Sequence, residues 1–100
     1  MFSTAPNAEE AERIARSLVD ERLAACVSVV PAVRSFYRWQ GKIEDSAEFL
    51  LVIKSSRGHF EALRTSLEKR HSYDVPEVIA VPVVDGAQNY LNWMDGELGA

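Results

Sequence analysis

Few side chains in this sequence are of a type that does chemistry. Cys26 is the only cysteine, set in Leu23-Ala24-Ala25-Cys26-Val27. Its thiolate would accept a soft metal, but among small apolar residues with no cation adjacent in sequence a thiol is first a small hydrophobe. His71 follows Lys69 and Arg70 at the end of a helical pattern. A protonated imidazole there is favoured by the helix dipole, and a neutral one is a common metal ligand. Asp74 and Glu77 flank Val75-Pro76; they could offer oxygen ligands, and ion pairing with Arg57 or Lys54 is the expected use. His59 stands alone and receives no role. No Gly-rich phosphate loop, His-Glu-x-x-His, paired-cysteine spacing or Gly-x-Ser-x-Gly elbow occurs. No nucleophile, base and orienter can be named together, so the chain is expected not to be an enzyme.

What must position these groups is a single domain spanning residues 1–100, since the chain is shorter than those that usually split into two. A net charge of −4 argues against a nucleic-acid surface, which needs clustered Lys and Arg. Arg34 and Arg38 interleave with Phe36, but Glu44, Asp45 and Glu48 follow directly. One cysteine excludes an intrachain disulfide and suits a reducing compartment. The start from Met1 to Pro6 lacks a basic and apolar leader, and no apolar run reaches bilayer length, so a cytoplasmic protein without membrane partners is expected.

The run from Asn7 to Leu23 places Ala11, Ile14, Ala15, Leu18 and Val19 at helical spacing, with Asn7 as cap and Glu10 at the position from which a side chain returns to it. Ala25 to Trp39 reads as a long strand bent at Pro31, with Val33, Ser35, Tyr37 and Trp39 on one side and Arg34, Phe36 and Arg38 on the other. Glu48 to Lys54 is the returning strand. A three-residue turn at Gln40-Gly41-Lys42 would set Arg38 opposite Glu44 and Arg34 opposite Glu48, matching charges across the pair. A second helix runs from Arg57 to Arg70, capped by Ser56, with Phe60, Leu63 and Leu67 inward. Glu77 to Val84 reads as an apolar strand that Pro82 confines to an edge or bulge, and Ala87 to about Leu98 as a short third helix.

With Met1 to Ala5 as a first strand, the order is the α+β, ferredoxin-like β-α-β-β-α-β arrangement with an extended central hairpin and a C-terminal helix. A strand from Ala25 to Trp39 would extend about 50 Å, against a radius of gyration of about 13 Å for a compact chain of this size. The hairpin therefore either bends sharply at Pro31 and folds back on its own core or projects, and a projecting tip carrying Phe36, Tyr37 and Trp39 calls for a partner.

Several segments carry a resemblance that covers essentially the whole chain. They are Ser3-Thr4-Ala5-Pro6, Leu23 to Val27, Ser35-Phe36-Tyr37-Arg38-Trp39-Gln40-Gly41-Lys42, Lys54-Ser55, His71-Ser72-Tyr73-Asp74-Val75-Pro76-Glu77 and Tyr90-Leu91-Asn92-Trp93. In order and spacing these resemble the divalent-ion tolerance protein family called CutA. The resemblance implies a ferredoxin-like fold, a tight homotrimer made by pairing long hairpins, an architecture similar to the PII signalling proteins, and tolerance of divalent metals with copper binding. Its copper-associated pattern would put Cys at Ser3, a second His at Arg70 and Pro at Ser72, and its first strand would be several residues longer. The metal ligands expected here are His71 first and Cys26 second. The alternative is a PII-like sensor that takes a small anionic molecule in a cleft between subunits, walled by Arg38, Trp39, Lys54, Tyr73 and Glu77.

Overall fold

The computed structural model describes residues 1–99. Its order is β1 (Phe2–Ala5), α1 (Ala8–Asp20), β2 (Cys26–Trp39), β3 (Lys42–Lys54), a 3-10 turn (Arg57–His59), α2 (Phe60–Arg70) and α3 (Gln88–Glu97). The α+β class and the third helix agree with the sequence reading. The helix at the start is shorter than the apolar period suggested, ending at Asp20, because Arg22 turns to a positive φ of 58°. Asn7 caps it as expected, accepting from the Glu10 amide at 2.8 Å.

The strands form one antiparallel sheet in the order β1-β3-β2. Ile79 bridges Phe2 on the far side of β1, so the fourth ferredoxin position is occupied, but by one residue. The expected strand from Glu77 to Val84 is not otherwise formed among the described residues. Pro82 lacks an amide to donate, and Val81, Val83 and Val84 lie exposed, Val84 at 92%.

Residues directly opposite in an antiparallel ladder share a face, which fixes both surfaces of the sheet. Val27 and Val29 lie opposite Ile53 and Leu51, and this face packs with Ile14, Leu18, Leu63 and Leu67 of the helices to form the core. Cys26, Ser28 and Val30 lie opposite Lys54, Val52 and Leu50 on the other face. Among the described residues no helix packs on it.

The hairpin corrects the expected register. Trp39 pairs with Lys42, so the turn holds two residues, Gln40 and Gly41, with φ of 50° and 81°. Two positive values make the turn whose twist fits the flanking strands, and backbone twist outweighs the matched charges. Arg38 therefore faces Ile43 and Arg34 faces Ala47, with Arg34 reaching diagonally to pair with Asp45. The bend at Pro31 is a bulge: between Val30 and Val33 the ladder gains one residue on β2, with Ala32 at φ 62°. Phe36 and Ile43 at the tip are 70% and 71% exposed, and the chain extends 44 Å along its longest axis.

Candidate functional site

Two clusters bring the chemistry-bearing residues together. The first joins the start of α1 to the loop after α2. The imidazole of His71 is fully buried, with Nε2 2.6 Å from the Thr4 carbonyl and Nδ1 accepting from the Tyr73 amide at 3.1 Å. These partners occupy both nitrogens, with Nε2–H donating to the carbonyl. A metal would have to displace one of them.

Glu10 lies beside it, buried, and its side chain does not return to the cap as expected. It accepts instead from the Ser72 amide at 3.0 Å and the Ser72 hydroxyl at 2.9 Å, with His71 Nδ1 3.3 Å and Arg13 3.9 Å away. Burial alone would raise this carboxyl, yet the Ser72 donors, with His71 and Arg13, hold it below its ordinary value. A proline at position 72 would have no amide to give. The chain nonetheless leaves His71 extended, at φ −89° and ψ 143°, so the conformation a following proline would favour is reached without one.

Tyr73 continues the network. Its ring sits 4.7 Å from that of His71, and its hydroxyl donates to Glu48 Oε2 at 2.7 Å. Burial, then the bond to Glu48, raises the phenol well above its usual value. Glu10 and Glu48 anchor this network, where the sequence reading had given Glu10 to the helix cap and Glu48 to a pair with Arg34. The available signal for Glu48 was its place where β3 turns apolar, a poor position for a solvated carboxylate.

The second cluster lies on the uncovered sheet face. Lys54 Nζ donates to Ser28 Oγ at 2.7 Å and stands 3.9 Å from Cys26 Sγ. Cys26 is half-buried, and it has the cationic neighbour that sequence adjacency did not reveal, because cross-strand pairing supplies it. His71 and Cys26 belong to separate clusters. Among the described residues no group of three or more His, Cys, Asp or Glu is spaced to hold a metal ion.

The cleft residues are dispersed within one chain. Arg38 and Trp39 lie exposed at the hairpin tip, roughly 40 Å along β2 from the Cys26 position that faces Lys54. Glu77 and Asp74 are exposed, and among the described residues neither forms the ion pair expected of it with Arg57 or Lys54. His59, given no role from sequence, ties Ser56 Oγ at 2.7 Å to the Gly99 carbonyl at 2.5 Å. Ser56 thus serves His59 rather than capping the helix.

The family model of the CutA1 divalent ion tolerance protein matches residues 1–97. The chain belongs to that family. The divalent-cation tolerance protein CutA of Pectobacterium atrosepticum is 45% identical over 98% of this chain and 89% of its own length. The solved structure of CutA from Xylella fastidiosa superposes with a TM-score of 0.95 at 49% identity, covering 98% of this chain and 94% of that one. The chloroplastic protein CutA of Arabidopsis thaliana is 44% identical over 94% of this chain. This chain spans about half the length of that plant relative, 52%. No helix among the described residues is long and apolar enough to cross a membrane.

Proposed function

We propose that this CutA-family chain acts in divalent-cation tolerance as a homotrimer that binds a divalent cation weakly, copper first. Family membership gives the theme, and the observation that carries the cation reading is the half-buried thiol of Cys26 on the uncovered sheet face. A soft donor with partial access can take a soft cation. His71 becomes the second ligand rather than the first, because both of its nitrogens already have partners. Binding through it costs a buried hydrogen bond, which accords with weak affinity. A reducing compartment such as the cytoplasm suits a lone functional thiol.

Calorimetry with copper and zinc on the native protein, Cys26→Ser and His71→Ala tests the site. Weaker binding in Cys26→Ser is expected, with a smaller effect or none in His71→Ala. Binding indifferent to both substitutions removes these ligands.

A second reading, a PII-like sensor of a small anion held between subunits, is favoured by Lys54. Among the described residues its ammonium has a hydroxyl and a thiol for neighbours and no carboxylate within ion-pair distance. Titration with a nucleoside triphosphate and with a dicarboxylate discriminates: binding lost in Lys54→Gln supports the sensor, and binding unchanged by it rejects this role for Lys54.

A further inference from the structure

Of the two buried carboxylates, Glu10 has two donors from Ser72 and two cationic or potentially cationic neighbours. Glu48, only 6% exposed, has the Tyr73 hydroxyl on Oε2. Among the described residues no cation lies within ion-pair distance of it, and Oε1 has no hydrogen-bond partner in the chain and keeps only residual contact with solvent. A carboxylate largely withdrawn from water with one neutral donor is undersupplied, and buried charges are ordinarily paired.

The chain's own hairpin does not fill the gap. Arg34 is nearest in register, opposite Ala47, but alternation puts it on the other face, paired to Asp45 and lying over Phe36. The outer edge of β3 is open just at this point. β1 stops with Ala5 opposite Phe49, so from Glu48 to the turn β3 has a neighbour on one side only. A second chain can approach there. What a second copy brings outward is its hairpin, whose end carries two exposed cations without carboxylate partners, Arg38 and Lys42. Of these, a guanidinium has the planar fork that serves a carboxylate, and it stacks on aromatic rings such as that of Tyr73.

We propose that Glu48 is one half of an ion pair between copies of this chain, completed by Arg38 from the hairpin of a second copy. The inference rests on the homotrimer reading and deepens it: Glu48 and Tyr73 form a socket that is incomplete in one chain, and Arg38 is the key that sets the approach of the neighbouring hairpin.

Sedimentation equilibrium or mass photometry across a dilution series tests it with wild type, Glu48→Gln, Arg38→Gln and the double variant. Each single substitution is expected to raise the concentration at which the assembly dissociates by roughly tenfold or more, and the double variant to be no weaker than the worse single one. Arg38 is exposed, so its substitution reads assembly even where Glu48→Gln disturbs folding. An assembly indifferent to Arg38→Gln, or single effects that simply add, overturns the pair while leaving the homotrimer reading in place. So does Lys42→Gln reproducing the Glu48→Gln effect when Arg38→Gln does not. A wild type that is monomeric throughout overturns both.

Discussion

Ser3 shows how one atom can be read for its cost. It is fully buried in β1, and its Oγ is the buried side-chain oxygen without a hydrogen-bond partner among the described residues. An unsatisfied buried hydroxyl costs about 1–3 kcal/mol. Ser3→Ala should therefore stabilise the protein, by about 1 kcal/mol after its small loss of packing. A thermal or denaturant midpoint measured at fixed protein concentration checks this, and a drop in stability would mean the hydroxyl has a use. Glu10 gives a prediction in pH. Its folded value is depressed, so its contribution is present above the ordinary value near 4.5 and is lost as pH falls through the lowered folded value. Glu10→Gln should flatten the acid limb of the stability profile by the uptake of one proton. Tyr73 runs the other way: its raised phenol gives a contribution fully present below the ordinary value near 10.0 and lost as pH rises from there through the folded value. In an ultraviolet titration, one of the three tyrosines should ionise late, and Tyr73→Phe should remove that late step.

At the scale of elements, the hairpin turn separates what was legible from what was not. Alternation along β2 could be read from Val33, Ser35, Tyr37 and Trp39, because period-two patterning survives without knowledge of the partner strand. Register could not, because cross-strand charge matching is a weaker force than the backbone twist that Gln40 and Gly41 accommodate. Gly41 lies at φ 81° with open space where a side chain would stand, so Gly41→Ala meets no neighbour and bears only the strain of a Cβ in the left-handed region. It should destabilise by about 1 kcal/mol, visible as a lower thermal midpoint. The segment after Ile79 misled the sequence reading for a related reason. A run of valines announces burial, but a single chain supplies no strand beside it. The site was the least legible part. His71, Tyr73 and Glu77 are close in sequence, yet only His71 and Tyr73 share a network. That network's anchors, Glu10 and Glu48, come from two other elements and are joined to it only by folding.

At the scale of the whole molecule, two groups stand out among the exposed apolar residues: the hairpin tip with Phe36 and Ile43, and the extended segment with Val81, Val83 and Val84. A chain of 11.2 kDa with this much apolar surface uncovered gains from sharing it. On the homotrimer reading, Val83, 72% exposed, lies where a charge harms assembly and spares the monomer's core. Val83→Asp should shift the particle measured by light scattering from three times the chain mass toward one, with the far-ultraviolet spectrum of the helices retained. A variant that keeps the full mass would place Val83 outside the interface.

The bulge at Pro31 and Ala32 has a consequence for heredity as well as for shape. Because it adds one residue to β2, the side of the sheet that carries Cys26, Ser28 and Val30 before it carries Val33, Ser35, Tyr37 and Trp39 beyond it. Were the bulge ironed out with Ala32 kept in the strand, alternation would run unbroken from Val30 through Ala32, and every residue toward the tip would change sides. Arginines and Phe36 would replace the tyrosine and tryptophan on that surface without a single side chain being mutated. Losing the bulge without its extra residue is thus a mutation of a whole surface, whereas losing both together leaves each side chain where it was, so lineages that keep their partners must keep or lose the two as one.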